Sequence, residues 1–297
     1  MFNIFRLKGT EWLSLAAIAV FLTGSLIVFQ NFGTETKSIM GKPFFEKTIA
    51  PKGSLKNPLS VVVFKDKIMA TSSSDAQVKI FSTKGKELAS AQLENDSYPT
   101  SLALHKDGTL FVATKNAIYK ASVFLNLKNM EKVKIKGDYQ PLAVAVHKDT
   151  LLVFDGLSQK LRILDKKKNK LVDFTEKKLS LSYVNGIISE GDSVYVADSN
   201  GRRIVRLDSN GKYKVSLKNF SLPRGIAIDS FKRLHVVDTF ANTIKVFDQK
   251  GKFLFNYGEE GNGSGHVYLP NGIAIDSKQG KVYVADKGNN RIQVWSW

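Results

Sequence analysis

The chain has 297 residues, 43% of them hydrophobic, which is enough for one large domain that buries its own core. It carries 44 Lys and Arg against 27 Asp and Glu, a formal net charge of +17. It contains no cysteine, which excludes a disulfide framework and a cysteine-linked lipid anchor.

The first predicted element is an apolar helix near the N-terminus. Residues 13–29 form an uncharged run, LSLAAIAVFLTGSLIVF. This run is longer than the roughly 7–15 residues of a signal-peptide core and approaches the roughly 20 residues that cross a bilayer. We therefore predict a short basic tail over 1–12, an uncleaved transmembrane signal anchor over 13–32 and a polar linker over 33–42. A cleaved signal peptide and a buried core element remain alternatives.

The short basic tail favours one orientation of this segment. Arg6 and Lys8 precede the apolar run and three lysines follow it within residues 37–47, so the local balance of charges does not decide. A short basic tail prefers the cytoplasm, and long domains are translocated largely regardless of charge. We expect a cytoplasmic N-terminus, with the large domain close to the membrane on its periplasmic or extracellular side.

Residues 43–297 contain a unit that recurs six times. Each unit has three short apolar runs separated by turns rich in Gly, Asp and Asn, the pattern of a strand meander. Such a unit cannot bury its faces alone, and a spacing of 39 to 47 residues is typical of blades with four short strands. We therefore predict an all-β, six-bladed β-propeller. The units open at Pro58, Pro99, Pro141, Val184, Pro223 and Pro270.

An outer strand is expected after the third run of the first five units, over 87–93, 131–135, 170–174, 213–217 and 252–257. The sixth unit has no such segment because the sequence ends at Trp297. An exposed strand edge is a pairing hazard, and residues 44–50 (FFEKTIA) lie upstream of the first unit. We predict that residues 44–50 close the ring as the outermost strand of the last blade.

The last two units share a sequence motif. Both open with P-x-G-I-A-x-D, at 223–229 and 270–276, and the last continues with Y-V-A-D and N-x-R-I-x-V. These residues resemble the NHL repeat, and the Gly-rich residues 258–270 resemble the approach to a further repeat. The resemblance implies a β-propeller that is used mostly to bind other molecules. We expect a protein-interaction scaffold or an accessory subunit of a membrane complex, with no catalytic residue, metal or cofactor.

The residue after each opening position is expected to face one mouth of the central channel. Converging carboxylates or histidines would indicate a bound cation. Arg224 disfavours a cation and favours an anion or a carboxylate of a partner. The six residues are Leu59, Thr100, Leu142, Asn185, Arg224 and Asn271. Together with neighbouring loops, the predicted binding residues are Asn185, Arg224, Asn271, Thr100, Arg202, Arg203 and Phe240.

A metal-dependent hydrolase or lyase is the first alternative. Residues 184–199 resemble the gluconolactonase-like lactonases, whose metal-binding Asn corresponds to Asn185; Leu142 and Arg224 stand where those enzymes have further ligands. His105 and His147 lie in adjacent units and could share a metal, as in zinc-using amidating lyases of related architecture, although no third ligand is identifiable. The sequence contains no Ser-His-Asp arrangement, HExxH motif or phosphate-binding loop.

Aspartates recur at the ends of the second runs. Asx residues favour turns because their side chains accept hydrogen bonds from nearby amides. We expect each aspartate to bind its own loop and to pair with a base of the same or a neighbouring blade. They are Asp155, Asp198, Asp238 and Asp286, and Lys160, Arg203 and Arg291 follow three of them by five residues.

The positive charge supports a second alternative, binding of RNA or another anionic polymer. Lysines cluster over 132–136 and 166–170. However, nucleic-acid surfaces combine positive charge with aromatic side chains that stack on bases, and these lysines are spread over turns. The sequence therefore disfavours nucleic acid and favours an acidic partner protein or anionic lipid headgroups.

Overall fold

The computed structural model describes residues 41–50, 53–94, 97–176 and 178–297. The predicted basic tail, the transmembrane anchor and most of the linker lie outside the described residues. Within the part of the chain that is described, no helix is both long and apolar enough to span a membrane. Pro43–Trp297 form one unit by their contacts.

Strand β1 (Phe44–Ile49) belongs to the last blade; the other strands follow the predicted order. Blade 1 contains β2 (Val61–Phe64), β3 (Lys67–Ser72), β4 (Gln77–Ser82) and β5 (Glu87–Gln92). Blade 2 contains β6 (Ser101–Leu104), β7 (Thr109–Ala113), β8 (Ile118–Ser122) and β9 (Glu131–Lys132). Blade 3 contains β10 (Pro141–His147), β11 (Thr150–Asp155), β12 (Lys160–Asp165) and β13 (Lys170–Asp173).

Blade 4 contains β14 (Val184–Glu190), β15 (Ser193–Asp198), β16 (Arg203–Asp208) and β17 (Tyr213–Leu217). Blade 5 contains β18 (Pro223–Ile228), β19 (Leu234–Asp238), β20 (Thr243–Phe247) and β21 (Phe253–Tyr257). After the short strands β22 (Glu259–Glu260) and β23 (His266–Val267), blade 6 contains β24 (Ile273–Asp276), β25 (Lys281–Asp286) and β26 (Arg291–Ser296). The prediction of an all-β propeller with six blades is confirmed.

The innermost strands meet around the axis at a common level. An added Cβ at Gly186 would lie 2.2 Å from the carbonyl oxygen of Arg224, and one at Gly225 would lie 2.5 Å from that of Asn271. Glycine is therefore required at these positions because the backbone of the next blade passes so close. The opening residues of successive blades consequently lie on one side of the ring, which we call the mouth face. The loops between second and third strands share this face, and the hairpins between first and second and between third and fourth strands form the opposite, turn face.

Strand β1 closes the ring. It pairs antiparallel with β26, from Phe44 opposite Ser296 to Ile49 opposite Ile292. Ile49 is only 1% exposed and belongs to the core between blades 6 and 1. The outer edge of β26 is thereby covered by a strand from the other end of the domain, which removes an open edge.

The core lies between neighbouring sheets. For example, Met69 and Ile80 of blade 1 share a buried cluster with Leu110 and Val112 of blade 2. Burying one such side chain is worth about 1.5–3 kcal/mol, so each blade is stabilised chiefly by its two neighbours.

Two segments differ from the expected pattern. The outer strand of blade 2 was expected over 131–135, but β9 ends at Lys132. The chain then crosses to blade 3, where the amide of Lys136 donates to the carbonyl of Asn169 over 2.7 Å. The Gly-rich segment between blades 5 and 6 contains the small parallel pair β22–β23.

Candidate functional site

The predicted mouth of the channel is a narrow, polar entrance. Leu59, Thr100, Asn185 and Asn271 line a cavity of about 100 Å³ here. Below it the channel widens to about 330 Å³ and is walled almost entirely by Val, Leu, Ile and Ala side chains of the six innermost strands. Polar recognition is therefore concentrated at the entrance.

Arg224 and Asn271 are in direct contact. Nη1 of Arg224 donates to Oδ1 of Asn271 over 2.9 Å, and Nδ2 of Asn271 donates to the carbonyl of Leu59 over 2.7 Å. These bonds connect blades 5, 6 and 1 and fix the guanidinium. Nε of Arg224 is buried and has no hydrogen-bond partner among the described residues. Burial lowers the pKa of Arg224 from its usual value, and nearby Tyr183 acts in the opposite direction; arginine nevertheless stays charged.

Lys287 is a site residue that the sequence analysis did not identify. It begins the short 3₁₀-helix Lys287–Asn289 of blade 6, on the mouth face. Burial lowers the pKa of Lys287, and the positive charge of Arg224 lowers it further. The amide of Asn271, whose side chain accepts from Arg224, donates to the carbonyl of Ala285 two residues before Lys287, so the two cations belong to contacting segments at the mouth.

The other two predicted mouth residues are occupied by internal hydrogen bonds. Nδ2 of Asn185 donates to Oγ of Ser199 over 2.8 Å, and Oγ of Ser199 donates to the carbonyl of Pro223 over 2.6 Å. Thr100 makes long bonds of 3.4 Å to the carbonyls of Ala113 and Leu142. These residues shape the entrance and join adjacent blades.

The predicted loop residues have separate surroundings. Nε of Arg203 donates to buried Asp198 over 2.8 Å, and its Nη2 donates to the carbonyl of Ser180 over 2.6 Å, so this arginine stabilises its own blade. Arg202 donates to the carbonyl of Phe220 over 2.9 Å. Phe240, by contrast, is 65% exposed. Phe240 and Arg202 are thus exposed to solvent, whereas Arg203 is half-buried.

Phe240 is one of several exposed aromatic and aliphatic side chains on the mouth face. Tyr98, Tyr183 and Tyr268 precede the innermost strands of blades 2, 4 and 6, and Leu157 follows the second strand of blade 3. All five lie on the mouth face, as Arg224 does. We call this set the aromatic rim: Tyr98, Leu157, Tyr183, Phe240 and Tyr268.

The recurrent aspartates act as predicted, as loop-binding residues. Asp286 accepts from the amide of Tyr268 over 2.8 Å and from Nε of Arg291 over 2.7 Å. Asp198 likewise accepts from the amide of Ser182 and from Arg203, whereas Asp238 pairs with Lys245. Asp155 differs from the expectation because its base is Arg162, while Lys160 pairs with Asp173. Side chains two residues apart in a strand point to the same face of the sheet, so Arg162 lies on the same face as Lys160.

The histidines have ordinary partners in the described residues. His105 lies between Asp107 and Asp149, each 2.9 Å away, and hydrogen bonding to Asp149 raises its pKa. His147 contacts Ser189 and the carbonyl of Ser209, so the two histidines do not converge. Among the described residues no group of three or more His, Cys, Asp or Glu is placed to hold a metal ion.

A lysine-lined groove lies between blades 2 and 3. It has a volume of about 990 Å³, and its walls include Lys132, Lys134 and Lys136 together with Tyr139 and Leu157. The short β9 and the crossing segment after it create this groove. The lysine cluster over 132–136 lines this groove.

Comparisons with known proteins agree with the repeat pattern. The NHL repeat family matches residues 267–295. "Protein brain tumor" of Drosophila melanogaster is 29% identical over 87 residues, which are 29% of this chain and 8% of that protein. NHL repeat-containing protein 3 of Homo sapiens is 31% identical over 110 residues, which are 35% of this chain and 31% of that protein. The chain thus aligns with less than a third of each relative.

Solved structures share the architecture. A streptogramin B lyase superposes with a TM-score of 0.63 at 14% identity, over 86% of this chain and 98% of the lyase. At this identity the likeness concerns the fold alone.

Proposed function

We propose that the propeller is a protein-interaction module that binds its partner on the mouth face. The observation that carries this proposal is the aromatic rim around a cationic entrance. Tyr, Phe and Arg are enriched where proteins bind each other, because large rigid side chains bury much surface at a small entropy cost. The similarity to NHL repeat proteins supports a binding function of this kind.

Variants of the rim test the location of this surface. The full-length protein is solubilised in detergent and its co-purifying proteins are identified, first for the wild type and then for Leu157→Asp and Phe240→Asp. We expect both variants to lose the partner, because each removes apolar contact area and adds a carboxylate that must be desolvated on binding; the lysines of the neighbouring groove offset only part of this cost at position 157.

Leu125→Asp is the matched control for Leu157→Asp. Leu125 is 56% exposed and Leu157 is 63% exposed, but Leu125 lies on the turn face. The control should retain the partner. Retention by both Leu157→Asp and Phe240→Asp, or loss in the control alone, would place the interface elsewhere.

We further propose that the protein is anchored in a membrane through residues 13–32 and acts in a membrane complex as a scaffold or accessory subunit. The apolar run of the sequence supports this proposal. The full chain should remain in the membrane pellet after alkaline extraction, and a protease added outside the cytoplasm should digest the propeller. Release of the intact chain by alkaline extraction would contradict the anchor.

The enzymatic alternative makes a different prediction. A metal-dependent hydrolase or lyase retains its metal through purification when its ligands bind tightly. Elemental analysis of the purified full chain therefore tests it, and a stoichiometric divalent metal would favour the enzyme over the interaction module.

A further inference from the structure

We propose that Arg224 and Lys287 together bind a carboxylate, from an Asp or Glu side chain of the partner protein, at the mouth of the channel. This inference rests on the proposed function, since it names the chemistry of the partner at the centre of the mouth face. It follows from two observations on neighbouring blades.

The first observation concerns two hydrogen-bond donors of Arg224, Nε and Nη2. Asn271 engages Nη1 and thereby holds the guanidinium plane in place. Nε is buried without a partner among the described residues, and no described residue accepts from Nη2. The Nε–Nη2 edge of an arginine is a planar pair of donors that matches the two oxygens of a carboxylate. Nε itself is closed to solvent, so a carboxylate accepts first from Nη2 and reaches Nε only by displacing the groups that cover it; pairing this costly unsatisfied donor is the gain in free energy that binding offers.

The second observation is the residue type at position 287. In three other blades the residue directly after the second strand is a hydroxyl residue that donates to the opening proline of the next blade. Ser73 donates to the carbonyl of Pro99, Ser199 to that of Pro223, and Thr239 to that of Pro270, over 2.5–2.7 Å. Blade 6 has Lys287 at this position and no such bond.

Blades 2 and 3 also lack this bond, because Thr114 donates to the carbonyl of Ala117 and Gly156 has no hydroxyl, but only blade 6 has a charged side chain at this position. No described carboxylate pairs with Lys287, although the chain has acidic residues beside most of its buried bases. Arg224 is close to it in the fold: the guanidinium donates to Asn271, and the amide of Asn271 donates to the carbonyl of Ala285, two residues before Lys287. Two like charges placed together without a counterion repel each other, and an anion between them removes the repulsion.

The surroundings favour a carboxylate on a protein over a free inorganic anion. The exposed Tyr183 and Tyr268 belong to segments that contact the two cations. Tyr183 precedes Gly186, where an added Cβ would lie 2.2 Å from the carbonyl oxygen of Arg224, and an added Cβ at Gly288, beside Lys287, would lie 2.4 Å from the ring of Tyr268. A peptide segment can place its backbone and apolar side chains on these rings while its carboxylate reaches the arginine. A phosphate ion would leave the rings unused.

Chemical labelling of Lys287 tests the site at residue level. The full-length protein in detergent is treated with an amine-reactive acetylating reagent at pH 8, and each lysine is quantified by mass spectrometry with and without a capped hexaglutamate peptide. Labelling of Lys287 should slow by about tenfold at saturating peptide, because a bound carboxylate shields the amine and raises its pKa. Lys250 and Lys252, exposed on a turn-face hairpin, report non-specific attraction and should change little.

The variant Arg224→Gln tests whether the arginine takes part in the site. Without peptide, Lys287 should label more slowly in this variant than in the wild type, because removal of the neighbouring charge raises its pKa. With peptide, the protection of Lys287 should disappear. Lys250→Gln, which removes one positive charge from the turn face, should retain protection.

Three results would overturn the proposal: unchanged labelling of Lys287, equal slowing of all lysines, or equal protection by inorganic phosphate. The proposed function has its own test. It predicts that Leu157→Asp loses the partner protein, whether or not hexaglutamate protects Lys287. Protection of Lys287 with an unchanged partner in Leu157→Asp would keep the carboxylate site and reject the rim as the interface.

Discussion

At the scale of single residues, buried charges in this propeller have two different functions. Asp198 and Asp286 each neutralise an arginine five residues later and bind the loop that leads into their own blade. Their function is structural, since breaking a buried pair leaves an uncompensated charge. No described carboxylate pairs with Arg224, and this difference is why we propose it as a binding residue.

A buried histidine should make the stability depend on pH. His235 is completely buried between Asp229, 3.0 Å away, and the hydroxyl of Tyr257, 2.9 Å away. Burial lowers its pKa, although the hydrogen bond to Asp229 opposes the shift. Below about pH 6.5, the usual pKa of histidine, the unfolded chain binds a proton that the folded chain does not. The free energy of unfolding should therefore fall as the pH decreases from 7 to 5.

Urea denaturation at several pH values checks this expectation. His235→Phe should have a smaller pH dependence between pH 5 and 7 than the wild type. His105 should act in the opposite direction, because its raised pKa makes its contribution present at low pH and lost as the pH rises. His105→Asn should therefore have a steeper acid loss than the wild type. Equal slopes in all three proteins would contradict these assignments.

The sequence predicts those site residues whose role follows from their position in the repeat. It does not predict residues whose role depends on contacts that form only in the folded chain. Arg224 and Asn271 follow from the repeat, because each stands after an opening proline. The partners of His235 do not, since Tyr257 comes from another strand and meets it only after folding. Lys287 was missed although its signal is present: aligning the residues after the second strands shows a lysine where four of the other five blades have a hydroxyl residue.

At the scale of elements, the pairing of β1 with β26 is the contact that completes the ring. Ile49→Ala should lower the free energy of unfolding by about 3 kcal/mol, because it leaves a cavity in a site without solvent. Phe44→Ala in the same strand is the control, since Phe44 is 62% exposed and should change stability by less than about 0.5 kcal/mol. Both values come from urea denaturation, and equal losses would mean that β1 is not packed as described.

The sequence predicts the strands well where short apolar runs alternate with turn residues. The innermost and second strands of all six blades follow from this pattern, and so does the β-rich fold class. β9 is shorter than expected because Ile135 continues an apparent alternation of Lys and apolar residues that instead belongs to the crossing segment beside Asn169. Local alternation indicates an extended chain but does not identify the neighbour to which it bonds.

At the scale of the whole molecule, a net charge of +17 should act on the rate of association more than on the lifetime of the complex. Raising the salt concentration from 0.05 to 0.5 M should slow association with an acidic partner by about tenfold, whereas dissociation should change little. Surface plasmon resonance with the captured full chain measures both rates.

A charge-reversed variant checks the cause of this salt effect. Lys166→Glu, Lys167→Glu and Lys168→Glu each replace a positive charge with a negative one and together lower the net charge from +17 to +11. These exposed residues lie on a turn-face hairpin, so the variant should have a weaker salt dependence of association and the same dissociation rate. Faster dissociation would show that this hairpin contacts the partner directly.

The closure of the ring has a consequence for biogenesis. Glu46 and Ser296, which meet in the last blade, are 250 residues apart. At the usual speed of ribosomes, on the order of 10 to 50 seconds separate the synthesis of β1 from that of β26. During this time β1 is a nascent segment without its partner, and its strand edge stays open to other polypeptides until translation delivers β26.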